Sequence, residues 1–208
     1  MSTANPAARK SFLNTKEIAF IGIFGALASV LMLIEFPLFF APSFYELDFS
    51  EVPVLIAAFA LGPVQGFLTE VVKLFLHFVM KGTHTAGVGE LGNLLVGCAL
   101  VIPASVIYKL HKTRKSAVIG MIAGTVCLIV TGCVVNAFIL LPFYAKAYGM
   151  PMDALIAMGT AVNSSINSVF TFVILAVAPF NLVKGVLVSI LTFLLYKHVS
   201  VFIHKAGA

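Results

Sequence analysis

Residues 117–144, AVIGMIAGTVCLIVTGCVVNAFILLPFY, decide the fold class of this chain. The stretch contains no charged side chain, and it is longer than the run of about 20 apolar residues that a membrane-spanning helix needs. The whole chain of 208 residues is similarly apolar, with 61% hydrophobic and 10% charged residues. Soluble domains carry about 25% charged residues. The sequence therefore predicts an all-α integral membrane protein.

The other apolar segments of the chain predict six membrane helices in all. Two of them are short, and a Gly-Pro pair between them predicts a hairpin. A mixed stretch at 146–168 predicts a connection that is partly a surface helix. Residues 1–15 are predicted to be a disordered cytoplasmic tail, and residues 16–205 a single six-helix membrane domain. The predicted spans are 18–40, interrupted near Pro37, then 52–62, 64–80, 91–112, 117–144 and 181–205.

The charged residues separate into two groups when six spans are assumed. By the positive-inside rule, the side that holds the basic residues is cytoplasmic, so both termini are predicted to be cytoplasmic. Four polar or glycine-rich segments converge on the opposite side, which predicts a ligand pocket in the extracellular half. The basic group is Arg9, Lys10, Lys16, Lys109, Lys112, Arg114, Lys115, Lys197 and Lys205, and the acidic group is Glu46, Asp48, Glu51, Glu90 and Asp153.

Asn181 and Lys184 lie in the segment APFNLVKG, between two apolar runs. At a spacing of i, i+3 they share a helix face, and they are predicted to occupy the first turn of the last helix. One interpretation is that Lys184 extends its ammonium group to the membrane interface. The other is a ligand contact, alone or with an ion pair to Asp48 or Glu90.

Asn136 lies inside the long apolar segment, where a side-chain amide must find hydrogen-bonding partners. It could bond a neighbouring helix. It could equally bind the polar edge of a planar ligand, because an amide both donates and accepts hydrogen bonds.

The segment GTHTAGVGELGN at 82–93 leads into a helix and is rich in glycine. It predicts an outer loop, in which Gly87 and Gly89 would let a flat ligand approach the backbone. It is not a Walker A loop, since the G-x-x-x-x-G-K-[ST] pattern is absent. The cysteines and histidines have no metal-ligand spacing, so no metal site is predicted.

Two further patterns lie on the first and third helices. Gly22 with Ala26, and Gly25 with Ser29, form small-xxx-small faces, which serve either internal packing or docking of another membrane protein. On the third helix, Glu70 and Lys73 are predicted to neutralise each other, with His77 one turn further; a proton relay is the alternative.

Four segments in this order resemble the riboflavin-specific S components of energy-coupling factor (ECF) transporters. They are DFSEVPVLIAAFALGPVQGFLTE (48–70), GTHTAGVGELGN (82–93), NAFILLPFY (136–144) and APFNLVKG (178–185). The resemblance implies a six-helix, multi-pass protein of the bacterial plasma membrane that captures riboflavin from outside. It implies no catalytic activity of its own, no cofactor and no nucleic-acid partner. The implied partners are the transmembrane T component and two cytoplasmic ATPases.

The resemblance also implies roles for individual residues. Asn136 matches the amide that contacts the flavin ring edge, and Asn181 and Lys184 match the polar pair near the ribityl chain. Gly22 and Ala26 match the small-residue face that docks on the T component, although the family pattern has two alanines. Looser matches to ligand-contacting positions are Tyr45, Asp48, Thr85, Gly87 and Glu90.

Two alternatives to riboflavin capture remain open at this point. The chain could be an S component for another vitamin, or a solitary secondary transporter coupled to protons through Glu70, Lys73 and His77. An intramembrane enzyme would need a nucleophile–base or metal constellation, and the sequence presents none.

Overall fold

The fold is an all-α bundle, seen in a computed structural model that describes residues 13–83 and 85–207, with side chains described as far as Tyr196. The predicted tail at 1–15 therefore lies almost wholly outside the described residues. Nine α-helices, two π-helical segments and two short strands occur among the described residues. They are α1 Thr15–Met32, β1 Phe36–Pro37, β2 Glu46–Leu47, α2 Glu51–Leu61, α3 Pro63–Lys81, α4 Val88–His111, α5 Arg114–Val135, π1 Asn136–Leu140, α6 Leu141–Ala147, α7 Met152–Thr160, α8 Val169–Phe172, π2 Val173–Val177 and α9 Ala178–Gly207.

Five helical stretches are long and apolar enough to cross a membrane, and α2 is a shorter apolar helix. The predicted hairpin is present, with α2 and α3 joined at Gly62, whose φ of 127° favours glycine. The predicted surface helix within 146–168 is also present, as α7. The five long stretches are Thr15–Met32, Pro63–Lys81, Val88–His111, Arg114–Ala147 and Val169–Tyr196.

The short helix α2 occupies the centre of the bundle. It packs against α1, α3, α4 and α9, and each residue from Glu51 to Phe59 is buried. Around it, Phe24, Leu100, Leu128 and Val188 complete one apolar core. Because neighbouring helices surround α2, this helix is shielded from lipid and can carry a charged residue into the interior.

The first predicted span is shorter than expected. Helix α1 ends at Met32, and the chain then forms the antiparallel pair β1–β2, in which Phe36 faces Leu47 and Pro37 faces Glu46. Proline cannot donate the hydrogen bond that a helix would require of it, and it is tolerated in so short a strand. This hairpin closes one end of the bundle over the cavity described below.

The last span starts earlier than predicted, because the helix continues across a proline. The stretch from Val169 through π2 into α9 is unbroken, and the stretch from α5 through π1 into α6 is built the same way. In each case a proline, Pro142 or Pro179, follows two residues after the π segment. The carbonyl four residues before each proline lacks its usual N–H partner, and in both cases it lies inside the wider π turn.

Candidate functional site

The cavity in which the predicted ligand residues meet lies beneath the β1–β2 hairpin, between α1, α4, α9 and the π1–α6 segment. Its volume is about 180 Å³. Of the eight ligand-contacting positions predicted from the sequence, five line it: Tyr45, Asp48, Asn136, Asn181 and Lys184. The other lining residues are Met32, Glu35, Phe44, Glu46, Gly89, Gly92, Asn93, Val96, Leu140, Tyr144 and Phe180.

Asn136 is buried at the first position of π1 and uses both ends of its amide. Its Nδ2 donates to the carbonyl of Gly132 at 2.8 Å, and its Oδ1 accepts from the Tyr45 hydroxyl at 2.5 Å. Neither bond crosses to a second helix, so the helix–helix bond weighed from the sequence is not the one found, and the ligand contact stays a prediction. The amide instead joins the hairpin segment, which is the chain between α1 and α2 (residues 33–50), to the bundle across the cavity.

Asn181 was predicted to lie in the first turn of the last helix, and that placement is wrong. The helix begins twelve residues earlier, at Val169, and only π2 and α8 separate that start from α9. The Asn181 Nδ2 donates to the carbonyl of Val177 at 3.0 Å, which is the same i−4 pattern as at Asn136. Within residues 13–83 and 85–196, no donor reaches its Oδ1, so this acceptor remains available at the cavity wall.

Lys184 is also within the helix and not in its first turn, and it forms an ion pair. Its Nζ lies 2.8 Å from Asp48 Oδ2, which is one of the two partners considered from the sequence. Both side chains are buried, and Asp48 Oδ1 accepts a second hydrogen bond from the Ser50 N–H at 2.7 Å. The lysine therefore does not extend to the interface; its charge is held at the cavity wall.

The Lys184–Asp48 ion pair and burial together determine the protonation states of the hairpin segment. Burial alone would raise the pKa of the Asp48 carboxyl, but the ammonium groups of Lys184 and Lys73 and the Ser50 N–H bond hold it below its ordinary value. Burial raises the pKa of the Tyr45 phenol, with a smaller contribution from Tyr144. At neutral pH the wall thus presents a neutral hydroxyl, a carboxylate and an ammonium group.

An aromatic wall adjoins these polar groups. The Tyr45 ring lies 5.4 Å from the Phe180 ring and 4.7 Å from the Phe44 ring, measured between centroids. Together with the amides of Asn136 and Asn181, this wall places apolar ring faces beside hydrogen-bond donors and acceptors.

Thr85, Gly87 and Glu90 do not line the cavity. The carboxylate of Glu90 accepts from the hydroxyls of Thr83 and Thr85 at 3.1 and 3.2 Å. Gly87, with a φ of 88°, precedes the first residue of α4 and donates its N–H to Thr83 Oγ1. These groups organise the start of α4, and ligand contacts at the three positions stay a prediction.

Several residues of the cavity wall were missed by the sequence analysis. From the segment 82–93 the wall takes Gly92 and Asn93, beside Gly89, which was named from the sequence as a point of close ligand approach. Glu35 and Tyr144 complete the opposite side. The sequence signal near Tyr144 was Pro142. A proline inside a long apolar segment predicts a local irregularity of the helix, and Tyr144 lies two residues beyond it.

The sequence model of a family described as "ECF transporter, substrate-specific component" matches residues 16–196. The chain belongs to this family. This S component is similar to "Riboflavin transporter RibU" of Staphylococcus aureus (strain TCH60), with 32% identity over 91% of this chain and 93% of the relative. It is 26% identical to "Riboflavin transporter FmnP" of Bacillus subtilis (strain 168), over 88% of this chain and 92% of the relative.

A solved structure described as "Structure and mechanism of the S component of a bacterial ECF transporter" has the same fold. The TM-score is 0.69 and the identity 33%, covering 90% of this chain and 96% of that chain. The curated relatives of the present chain are named as transporters, and this S component is accordingly not an enzyme. With five apolar helices long enough to cross a bilayer, it is a multi-pass protein of the bacterial plasma membrane.

A buried charge cluster of this S component lies next to the cavity. Lys73 Nζ is 2.6 Å from Glu70 Oε1 and 2.9 Å from Glu51 Oε1, and all three side chains are buried. The predicted pairing of Glu70 with Lys73 is confirmed, but Glu51 was not foreseen as its third member. Gly97 makes room for the cluster, because a Cβ there would lie 2.4 Å from Glu70 Oε1.

The two small-residue faces of α1 point in different directions. Gly25 and Ser29 are buried, and a Cβ at Gly25 would lie 2.5 Å from Val72 Cγ1 on α3. Gly22 and Ala26 are exposed, and a Cβ at Gly22 would meet no atom within 4 Å. One face therefore packs the bundle, and the other is free to receive a partner.

Proposed function

We propose that this S component is the riboflavin-binding, substrate-capture subunit of an ATP-driven ECF vitamin importer. The observation that carries the proposal is the cavity beneath the hairpin, where Asn136, Asn181 and the Lys184–Asp48 pair meet an aromatic wall. The names of its relatives support riboflavin as the ligand.

The roles of the individual residues follow from their chemistry. Asn136 would contact the polar edge of the flavin ring once Tyr45 releases its Oδ1. Asn181 and Lys184 would bind the ribityl hydroxyls, since Asn181 Oδ1 is an available acceptor and the ammonium group of Lys184 is a donor. Asp48 would orient Lys184 and accept a further hydroxyl. Riboflavin is the transported ligand in this proposal, and no cofactor takes part.

Entry of the ligand requires the hairpin to move. The cavity of about 180 Å³ is smaller than the roughly 300–1,000 Å³ of ordinary ligand sites. The bond from the Tyr45 hydroxyl to Asn136 joins the hairpin segment to π1 directly over the cavity. We infer that opening this contact admits the flavin.

The proposed topology has six spans, with α2 counted as a short central one. Both termini would be cytoplasmic and the cavity would lie in the extracellular half. The membrane domain would extend over residues 16–205. The transmembrane T component would dock on the face that carries Gly22 and Ala26, and two cytoplasmic ATPases would supply the energy.

The identity of the ligand is tested by the absorption spectrum of the detergent-purified protein. Protein from riboflavin-containing medium is expected to be yellow and to release riboflavin on denaturation. If another vitamin is released instead, the proposed ligand is wrong while the assignment to the S components stands.

Asn181→Ala is expected to weaken riboflavin binding up to about tenfold, and Lys184→Ala roughly tenfold to a hundredfold. The difference arises because hydrogen bonds to a charged donor contribute more than neutral ones. A fluorescence titration with each purified variant measures both effects, with thermal stability recorded in parallel.

The matched control for Lys184→Ala is the double variant Asp48→Asn/Lys184→Met, which removes the charge of both members of this pair. We expect this variant to regain stability without regaining affinity. If affinity returned together with stability, Lys184 would act on folding and not on the ligand.

A further inference from the structure

An apolar groove runs along the outside of the bundle between α5 and α9, away from the proposed ligand cavity. Its volume is about 460 Å³. Ile122, Val126, Val186 and Ile190 are each exposed by 44% or more along its edges. The remaining lining residues are Val118, Met121, Thr125, Ile129, Leu182, Ser189, Phe193 and Leu194. A groove so apolar on two membrane-spanning helices faces lipid.

A second pocket continues the groove at the end of the bundle where α4 meets α5. Its volume is about 400 Å³, and it shares Met121, Phe193 and Leu194 with the groove. Unlike the groove, it is partly polar, because Lys112, Thr113 and Arg114 contribute to its wall together with two tyrosines. The two spaces therefore lie side by side, with the groove apolar and the pocket partly polar.

The partly polar pocket carries positive charge without a compensating acid. Over residues 13–83 and 85–196, no carboxylate oxygen lies within 4 Å of the Lys112 or Arg114 side chain. Both side chains are exposed. The hydroxyls of Tyr108 and Tyr196 lie 3.1 Å apart at the same end, and tyrosine is enriched at the level of lipid headgroups.

We propose that the groove and the adjoining pocket together form a binding site for an anionic phospholipid of the surrounding bilayer. Charge complementarity selects the occupant: the phosphate and anionic headgroup would lie against Lys112 and Arg114, and one acyl chain would fill the α5–α9 groove. Basic pockets between membrane helices bind anionic headgroups in this way. A protein segment would have to combine an acidic end with a long apolar strip to match the same surface.

The lipid site lies on elements other than those of the T-component face proposed above. The docking face belongs to α1, which packs on α2 and α3, whereas the groove is formed by α5 and α9. Lipid binding can therefore be tested on the S component alone, and its failure would leave riboflavin capture untouched.

The test is native mass spectrometry of the detergent-purified chain with phosphatidylglycerol or phosphatidylcholine of identical acyl chains. Wild type is expected to retain one phosphatidylglycerol in preference to phosphatidylcholine. The double variant Lys112→Gln/Arg114→Gln should lose about 30-fold of that preference, or about 2 kcal/mol at 1.4 kcal/mol per tenfold. The charge-matched control Lys16→Gln/Lys115→Gln alters two exposed lysines outside the pocket and should retain it.

A second pair of variants tests the acyl-chain part of the site. Val186→Trp fills the groove and should release the lipid, whereas Val130→Trp adds the same bulk to an exposed position outside the groove and should not. The proposal would be overturned if wild type retained the two lipids equally. It would also be overturned if the two variants of either pair retained phosphatidylglycerol equally. A Lys112→Gln/Arg114→Gln variant that still bound phosphatidylglycerol but no longer assembled with the transporter would overturn it too, since the pocket would then be a protein-docking surface.

Discussion

Lys73→Met is expected to lower the free energy of unfolding by about 3–5 kcal/mol, which is the usual cost of breaking a buried ion pair. The Lys73 side chain is 1% exposed, and its ammonium group contacts both Glu51 and Glu70. Without it, two carboxylates would remain buried with no cation beside them. The second oxygens, Glu51 Oε2 and Glu70 Oε2, already lack a hydrogen-bond donor among the residues that the structure describes. Reversible unfolding of the detergent-purified variant measures the loss.

The matched control is Lys81→Met, which removes the same side chain from the same helix. Lys81 pairs with Glu35, but its side chain is 39% exposed, and an exposed pair contributes only about 0–1 kcal/mol. A rescue variant, Lys73→Met with Glu51→Gln and Glu70→Gln, removes every charge of this cluster and should recover much of the lost stability. If Lys73→Met unfolded like wild type, the Lys73 ammonium group would not stabilise the cluster.

Gly22→Leu or Ala26→Leu is expected to abolish riboflavin uptake in cells that contain the complete transporter, with riboflavin binding unchanged. Small residues let two helices approach closely in lipid, and a leucine on this face would hold the T component away. Binding should persist because both residues lie on the exposed face of α1 and neither lines the cavity. Uptake of labelled riboflavin, and titration of the purified variants, measure the two properties separately.

Two control variants on α1 distinguish the exposed stripe of Gly22 and Ala26 from the rest of the helix surface. Ile23→Phe adds bulk at an exposed position outside the small-residue stripe, and it should leave uptake near the wild-type level. Gly25→Leu adds bulk on the buried side, against Val72, and it should lower stability and binding together. If Gly22→Leu behaved like Gly25→Leu, the Gly22 stripe would serve internal packing and not docking.

Hydrophobic runs were sufficient to predict most of the fold. Because a helix in lipid must satisfy its own backbone hydrogen bonds, the long apolar segment at 91–112 corresponds closely to α4, and that at 117–144 to the continuous stretch of α5, π1 and α6. The Gly-Pro pair at 62–63 likewise predicted the α2–α3 hairpin. Two helix ends were predicted wrongly. The first helix ends at Met32 and not near residue 40. The last helix starts earlier than predicted, because proline normally ends a helix and the π turn before Pro179 lets this one continue.

The candidate site was predictable in part for the same physical reason. A polar side chain in an apolar run is costly unless it has a partner or a function, and that rule singled out Asn136, Asn181 and Lys184. The partner of Lys184 was narrowed to two carboxylates, of which the structure has Asp48. The hydrogen bond from Tyr45 to Asn136 joins residues 91 positions apart, so no local pattern could reveal it. The place of Glu51 in the buried cluster was not predicted, because Glu51 begins a helix whose burial depends on four neighbouring helices.

The central claim is that the chain alone captures riboflavin, without ATP or partner subunits. Titrating riboflavin fluorescence with the detergent-purified protein tests this claim most directly. We expect quenching that saturates at one riboflavin per chain, with a dissociation constant in the nanomolar range. Fluorescence that remained unquenched at micromolar concentrations of folded protein would contradict the account.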